Sequence, residues 1–398
     1  MANTLLTPQM ITREALRILH QKLNFIGNIN RQYDDSFANS GAKIGDTLSI
    51  RLPNQYTVRT GKTLSTQDTT ENKVPLQVAT QKGVDVNFSS AELTLSLDDF
   101  STRILEPAMA VLAANLEADA FSMALDVYNA VNNIGSAVTF KNIMTSRKLL
   151  NDNLAPIDNN RTCILNTTDQ VDLIDALKGL FQDSTNISKQ YKEGTMGRTG
   201  GFDFYENTLI PTQTTGTALS ATTYTVNGAV TTNGSTTVTV ATGATTFKKG
   251  DVITFSGCNR VHPETKADTG ALQQFVVTAD YAGGAGNLAI SPAIYTSTGQ
   301  QNVLATGIPN GATVTKVGGA SAVYKPSLVF HKDAFAFATA DLIMPKGVDF
   351  SAREVYDGIS MRIVRAYDIN NDNLPCRIDV LYGYKTLRAQ LAARILSN

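Results

Sequence analysis

Between residues 214 and 323 the chain changes character: Thr, Gly and Asn crowd in, charges thin out, and about half of the 29 glycines fall here. Short alternating runs ("TYTVNGAV", "TTVTVAT", "DVITFSG", "QFVVTAD", "NLAISPAI") are separated by turn pairs such as Asn227-Gly228, Asn233-Gly234 and Gly283-Gly284. Period-two runs punctuated by such turns bury a core by curling into a small antiparallel barrel or sandwich. The flanks read differently, as helices mixed with strands. The spacing therefore predicts an α+β domain interrupted in a surface loop, where an insertion costs little loop-closure entropy.

Before the interruption, "TPQMITREALRILHQKL" reads as a helix: Thr7 can cap, Pro8 suits the first turn, and Ile11, Ala15, Ile18 and Leu19 share a face. Residues 31–47 are loop-like. "DTLSIRLP" alternates Leu48, Ile50 and Leu52 against Thr47, Ser49 and Arg51, and a polar excursion returns through "VDVNF". That predicts an extended β-hairpin over 44–88, too marginal to stand alone. Next, Ile104, Ala108, Leu112, Leu116, Ala120 and Met123 keep a helical stripe, with Ser96 or Asp98 placed to cap it. "NIMTSRKLLNDNLAP" predicts a helix ended by Pro156 and "RTCILN" a buried strand. "TTDQVDLIDALKGLF" predicts a helix capped by Thr167 or Thr168, with Val171, Ile174, Leu177 and Phe181 inward. Residues 183–200 read as a polar loop. After the interruption, "PSLVFHKDAFAFATADLIMP" predicts a strand followed by a helix, and the last forty residues two strands joined at Asn370–Asn373.

The 398 residues carry 34 basic against 35 acidic groups, so no global basic excess marks a dedicated nucleic-acid binder. Only 17% of residues are charged, which suits a surface destined for burial against other chains and equally a plain β-rich protein. Three widely spaced cysteines, Cys163, Cys258 and Cys376, point to free buried thiols in a reducing compartment. The first residues lack a signal-peptide pattern and no run of about 18 apolar residues is present, so the expectation is a cytosolic chain with no membrane partner.

Catalytic constellations are not evident. His20, His262 and His331 are isolated, and no local spacing assembles a metal site. "TGKT" at 60–63 imitates the end of a phosphate loop, but Tyr56 stands where the motif needs glycine. Asp34-Asp35 and Asp98-Asp99 are adjacent rather than opposed. The expectation is no enzyme and no catalytic, cofactor or metal residues. Arg51, Arg59, Lys62 and Lys73 concentrate along the hairpin and are the candidates for contact with a neighbouring subunit, or for keeping an exposed hairpin soluble.

The order of parts resembles the HK97-type major capsid proteins of tailed bacteriophages, and among them the P22 coat protein family with its β-barrel insertion. The resemblance is carried by "IGDTLSIRLP", "SSAELTLSLDDFSTRILEPAMAVLAANLEADA", "SRKLLNDNLAPIDNNRTCILNTTDQVDLI", "GFDFYENTLIPTQTTGT" and "FKKGDVITFSGCNRVHP". It implies an N-terminal arm (1–40), an extended loop (41–88) reaching an adjacent subunit, and a spine helix of the peripheral domain (89–130). An axial domain (131–213 and 324–352) would be interrupted by the barrel (214–323), and closing strands (353–398) would complete the peripheral domain. It further implies self-association as pentamers and hexamers into a T=7 icosahedral capsid in the virion. Assembly would occur in the bacterial cytoplasm with a scaffolding protein and a portal protein, around double-stranded DNA held without sequence preference. One departure is visible: where P22-type insertions carry a charged loop, "VNGAVTTNGSTTVTV" is uncharged, reading as a tight hairpin. The competing readings are a phage tail, fibre or surface module binding carbohydrate, and an enzyme with a non-local site.

Overall fold

The computed structural model describes residues 8–31, 47–64, 66–67, 71–88, 105–177, 197–348, 350–356, 358–369 and 374–397. Thr7, Asp34-Asp35, Ser96, Asp98, Phe181, most of the polar loop at 183–200 and the turn at 370–373 lie outside them, as does the side chain of His20.

Helix α1 (Pro8–Lys22) and strand β1 (Asn30–Arg31) precede β2 (Thr47–Arg51), β3 (Lys73–Gln77) and β4 (Thr80–Phe88). Helix α2 (Glu106–Phe121), β5 (Ala130–Asn132), α3 (Phe140–Asp152), β6 (Arg161–Leu165) and α4 (Thr167–Leu177) follow. Then come β7 (Arg198–Thr199), β8 (Phe202–Glu206), β9 (Gln213–Thr214), β10 (Ala221–Val226), β11 (Ser235–Ala241) and β12 (Val252–Val261). After these run β13 (Asp268–Val277), β14 (Gly286–Ile294), β15 (Thr313–Lys316), β16 (Val323–Tyr324) and β17 (Ser327–His331). The last are β18 (Phe335–Ala340), β19 (Phe350–Tyr356), β20 (Ile359–Arg365), β21 (Leu374–Thr386) and β22 (Ala392–Leu396). The chain is α+β with strands dominating, in two compact units: Met1–Arg51, Lys73–Phe121 and Phe335–Leu387 form one, and Leu52–Asn72, Ser122–Ala334 and Arg388–Asn398 the other.

In the first unit, β1-β18-β21-β20-β19 form a sheet, with β4 also paired to β21. The single stripe of α1 finds its partner within the chain: Ile11, Ala15, Leu16, Ile18 and Leu19 are buried, and the helix packs on α2, β19 and β20. Phe25 stacks on Phe121 at 4.5 Å and meets Phe335 edge-on at 5.6 Å. The buried Glu117 of α2 accepts hydrogen bonds from the Phe25 and Ile26 N–H groups at 2.6 and 3.3 Å, so the exit of α1 is tied to α2 by a carboxylate. On α2 itself, Met109, Leu112, Ala113, Leu116, Ala120 and Phe121 are buried. By length and composition Glu106–Asp126 is apolar enough to cross a membrane, a test that core helices also pass, and 56% of its most apolar window is buried inside the protein.

The extended hairpin differs from its sequence reading. Its return limb is β3, paired with β2 from Thr47↔Gln77 to Arg51↔Lys73. "VDVNF" belongs to β4, which pairs with β21 from Thr80↔Tyr382 to Phe88↔Leu374. β3 falls within what reads as the polar excursion, and it accommodates Pro75 because in a two-stranded ladder every strand is an edge. Likewise "FAFATA" forms strand β18 rather than a helix: all six residues are buried on both faces, where alternation is lost and Ala-rich sequence mimics helix.

The second unit holds a sheet of order β5-β22-β17-β6-β8-β7. The last strand, β22, pairs with β17 and β5 here, so the C-terminal segment does not stay with β20 and β21. Helix α3 starts in a Thr139–Asn142 capping box and ends at Asp152, with Leu154 in the left-handed region before Pro156. The cap of α4 is Asn166, whose Oδ1 accepts the Asp169 N–H at 2.7 Å, rather than Thr167 or Thr168. The inward face also differs from the expected one: Val171 is 67% exposed and Leu173 is buried.

The Thr/Gly-rich stretch closes into a six-stranded barrel, β10-β11-β14-β13-β12-β15. Tyr224, Phe247, Ile253, Phe255, Phe275 and Leu288 lead its apolar interior. Gly228 and Gly234 take positive φ as the turn signals require, though the β10–β11 connection spans residues 227–234 and is pinned at Val230↔Ile308, a longer loop than a tight hairpin. Where the chain enters and leaves, β9 and β16 pair through Thr214↔Val323 and Gln213↔Tyr324.

Candidate assembly surface

The β2–β3 ladder has one apolar and one polar face, as period-two alternation demands. Ile50 and Leu76 turn inward onto Val78, Ala336, Ala338, Ala340 and Leu381. Ser49, Arg51, Lys73 and Pro75 are exposed. Arg51 and Lys73 are direct cross-strand partners, so two basic residues share one end of the ladder.

Arg59 and Lys62 lie in the connecting segment, which the structure groups with the second unit. Gln67 clips that segment: its Oε1 accepts the Thr57 N–H and hydroxyl at 2.9 and 3.0 Å, and its Nε2 donates to the Thr57 carbonyl at 2.6 Å. Arg59 donates to the carbonyls of Gly61 and Thr63, curling the tip around a glycine at φ +99°. "TGKT" is thus a bend with no helix behind it. Val58 and Leu64 are 92% and 78% exposed beside Arg59 and Lys62, so the segment offers apolar and basic contacts together. Of the four sequence candidates, the structure pairs Arg51 with Lys73 and places Arg59 near Lys62 in the bend.

A buried charged cluster where the barrel meets the sheet escaped the sequence reading. Lys316 is fully buried and donates to the carbonyls of Gly216 and Gly319, each at 2.8 Å. Asp251 accepts the N–H groups of Gly216 and Lys248, both at 2.9 Å, and Arg394 of β22 donates to the Gly250 carbonyl at 3.0 Å. Burial pushes the Asp251 carboxyl up, against the pull of those N–H groups and of the two cations, and pushes Lys316 and Arg394 down. Beside them Ala130, Val252, Tyr324 and Leu396 form an apolar patch shared by barrel and sheet. The signal was present in "TVTK", whose inward phase carries both Val314 and Lys316.

His331 is a strand-end residue, as its context suggests. Its Nδ1 accepts the Asp333 N–H at 3.2 Å, leaving the proton on Nε2, 3.2 Å from both Asp158 oxygens. Partial burial would raise the Asp158 carboxyl, but the Asn160 N–H groups and His331 outweigh it and hold it down at about 2. The three thiols are free and buried, and burial pushes Cys258 and Cys376 up to about 12, a range in which thiols are inert. No group of three metal-ligating side chains gathers among the described residues.

Solved chains with a similar path include one from Mycobacterium phage Che8 (12% identity, TM-score 0.47, covering 94% of this chain and 90% of that one). Another is the capsid of an empty GTA particle (8%, 0.44, 94% and 90%), and a third the capsid of Ralstonia phage GP4 (7%, 0.42, 92% and 85%). No curated protein matches the sequence. The family model described as P22 coat protein, gene protein 5, matches residues 7–394. With nearly its whole length matched, the chain belongs to the P22 coat protein family, and it is a major capsid protein of a tailed phage.

Proposed function

We propose that copies of this chain assemble through pentamers and hexamers into an icosahedral shell around double-stranded DNA. The family match over residues 7–394 carries this reading. In it, α2 is the spine helix, the β2–β3 hairpin is the extended loop, and the barrel between Thr214 and Val323 is an inserted stabilising module. Arg51, Arg59, Lys62 and Lys73 contact a neighbouring subunit. A scaffolding protein guides assembly in the host cytoplasm, a portal closes the shell, and T=7 is the expected arrangement. The role is structural rather than catalytic.

The barrel interior weighs against a carbohydrate-binding role. Of the rings such a site would use as platforms, Tyr224, Phe247, Phe255 and Phe275 are buried in the barrel core, and Tyr281 and Tyr295 are half-buried. The test is electron cryo-microscopy of particles pelleted from cells expressing the chain with its neighbouring genes. Shells with pentamers at vertices and hexamers on faces are expected; filaments or unclosed aggregates under all conditions would overturn the proposal.

A further inference from the structure

Gly299 lies in the loop after β14, and its backbone is outside the left-handed region, so no turn requires a glycine there. What requires it is another segment of the chain. A β-carbon at this position would fall 2.2 Å from the Gln55 carbonyl oxygen, 2.6 Å from its carbon and 3.1 Å from the Tyr56 nitrogen. The backbone of the extended loop therefore lies flush on the barrel loop, the close approach that glycine alone permits. The seat is rigid. Lys266 Nζ donates to the carbonyls of Pro263, Gly299 and Gln301 at 2.6, 2.6 and 3.3 Å, binding two barrel loops into one cradle. Asn302 closes the same loop through the Tyr295 N–H at 2.9 Å. The segment is equally shaped, by the Gln67 clip on Thr57.

The fit is one of backbone to backbone, while the nearby side chains of Val58 and Leu64 stay almost wholly exposed. Such a contact holds the segment without burying those apolar side chains, so a second surface that buries them together with the Gln55–Tyr56 backbone competes with the cradle for it. Building on the shell reading, we propose that the 52–64 segment is parked on its own barrel in the unassembled subunit, with Gly299 and Lys266 as the latch, and leaves that cradle to engage a second copy. Parking lowers the fraction of assembly-competent subunits, and weakening the latch raises it.

The test uses full-length Gly299→Ala and Lys266→Met variants, the second loosening the cradle without crowding it. Amide exchange of unassembled protein is followed at Gln55–Val58, with the β12 and β13 amides as the check that the barrel is folded. Both variants are expected to exchange several-fold faster at Gln55–Val58 and to begin assembling at lower protein concentration than the wild type. Unchanged exchange in both variants would overturn the proposal. So would faster exchange with lost assembly, because the cradle would then serve the finished shell. A wild-type chain that never forms particles, with exchange still accelerated in the variants, would overturn the shell reading and the restraint with it, while leaving the loop–barrel contact in place.

Discussion

Glu117 shows how much can rest on one residue. Its carboxylate, buried on α2, satisfies two N–H groups at the exit of α1. Removing it leaves those donors unpaired in an apolar setting, so Glu117→Ala is expected to cost about 1–3 kcal/mol. The urea midpoint measures this, and a change below about 0.5 kcal/mol would contradict the assignment. Asp158 makes a pH prediction. Its folded carboxyl is held at about 2 against an ordinary 3.8, so the stabilisation is fully present above 3.8 and is lost as pH falls through about 2. Asp158→Asn should remove that part of the acid limb in urea midpoints taken across this window. The carboxylate is partly exposed, so the effect is smaller than the full shift implies. Identical acid limbs would show that the Asn160 and His331 contacts do not hold in solution. Neither role was legible in the sequence, where Glu117 looks like one more helix-surface acid.

At the scale of elements, the strands with clean alternation were legible and those without it were not. β2 and the barrel strands follow period two. β3 hides within the polar excursion, and β18 behind alanines that face buried surroundings on both sides. Partner choice was less legible still: "VDVNF" alternates well, but nothing local says that it pairs with β21 instead of β2. The candidate residues themselves, Arg51, Arg59, Lys62 and Lys73, were found from charge clustering; the cross-strand placement of Arg51 against Lys73 needed the register. The buried trio of Lys316, Asp251 and Arg394 draws its members from segments far apart in sequence, which no local window unites. If the hairpin bend contacts another subunit, Arg59→Glu with Lys62→Glu should lower particle yield by about tenfold or more through like-charge repulsion or lost pairing. The thermal midpoint of the unassembled chain should stay the same, because both side chains are exposed. Unchanged yield would remove this bend from the interface.

For the molecule as a whole, the barrel is bonded into the sheet of its own unit. Arg394 reaches Gly250, and Tyr324, Ala130 and Leu396 share an apolar patch with Val252. Excising residues 214–323 would strip the Arg394 guanidinium of the Gly250 acceptor and expose that patch. The shortened chain is expected to lose its cooperative thermal transition or show it at a clearly lower temperature, followed by circular dichroism. An unaltered transition would mean that the barrel is an independent appendage. The central claim, that this chain builds a closed shell, is tested most directly by sedimentation velocity on the full chain expressed with its neighbouring genes, with negative-stain microscopy of the fastest fraction. The account predicts a discrete particle boundary of closed shells. A single slow boundary of monomers, under conditions where all partners are present, would contradict it.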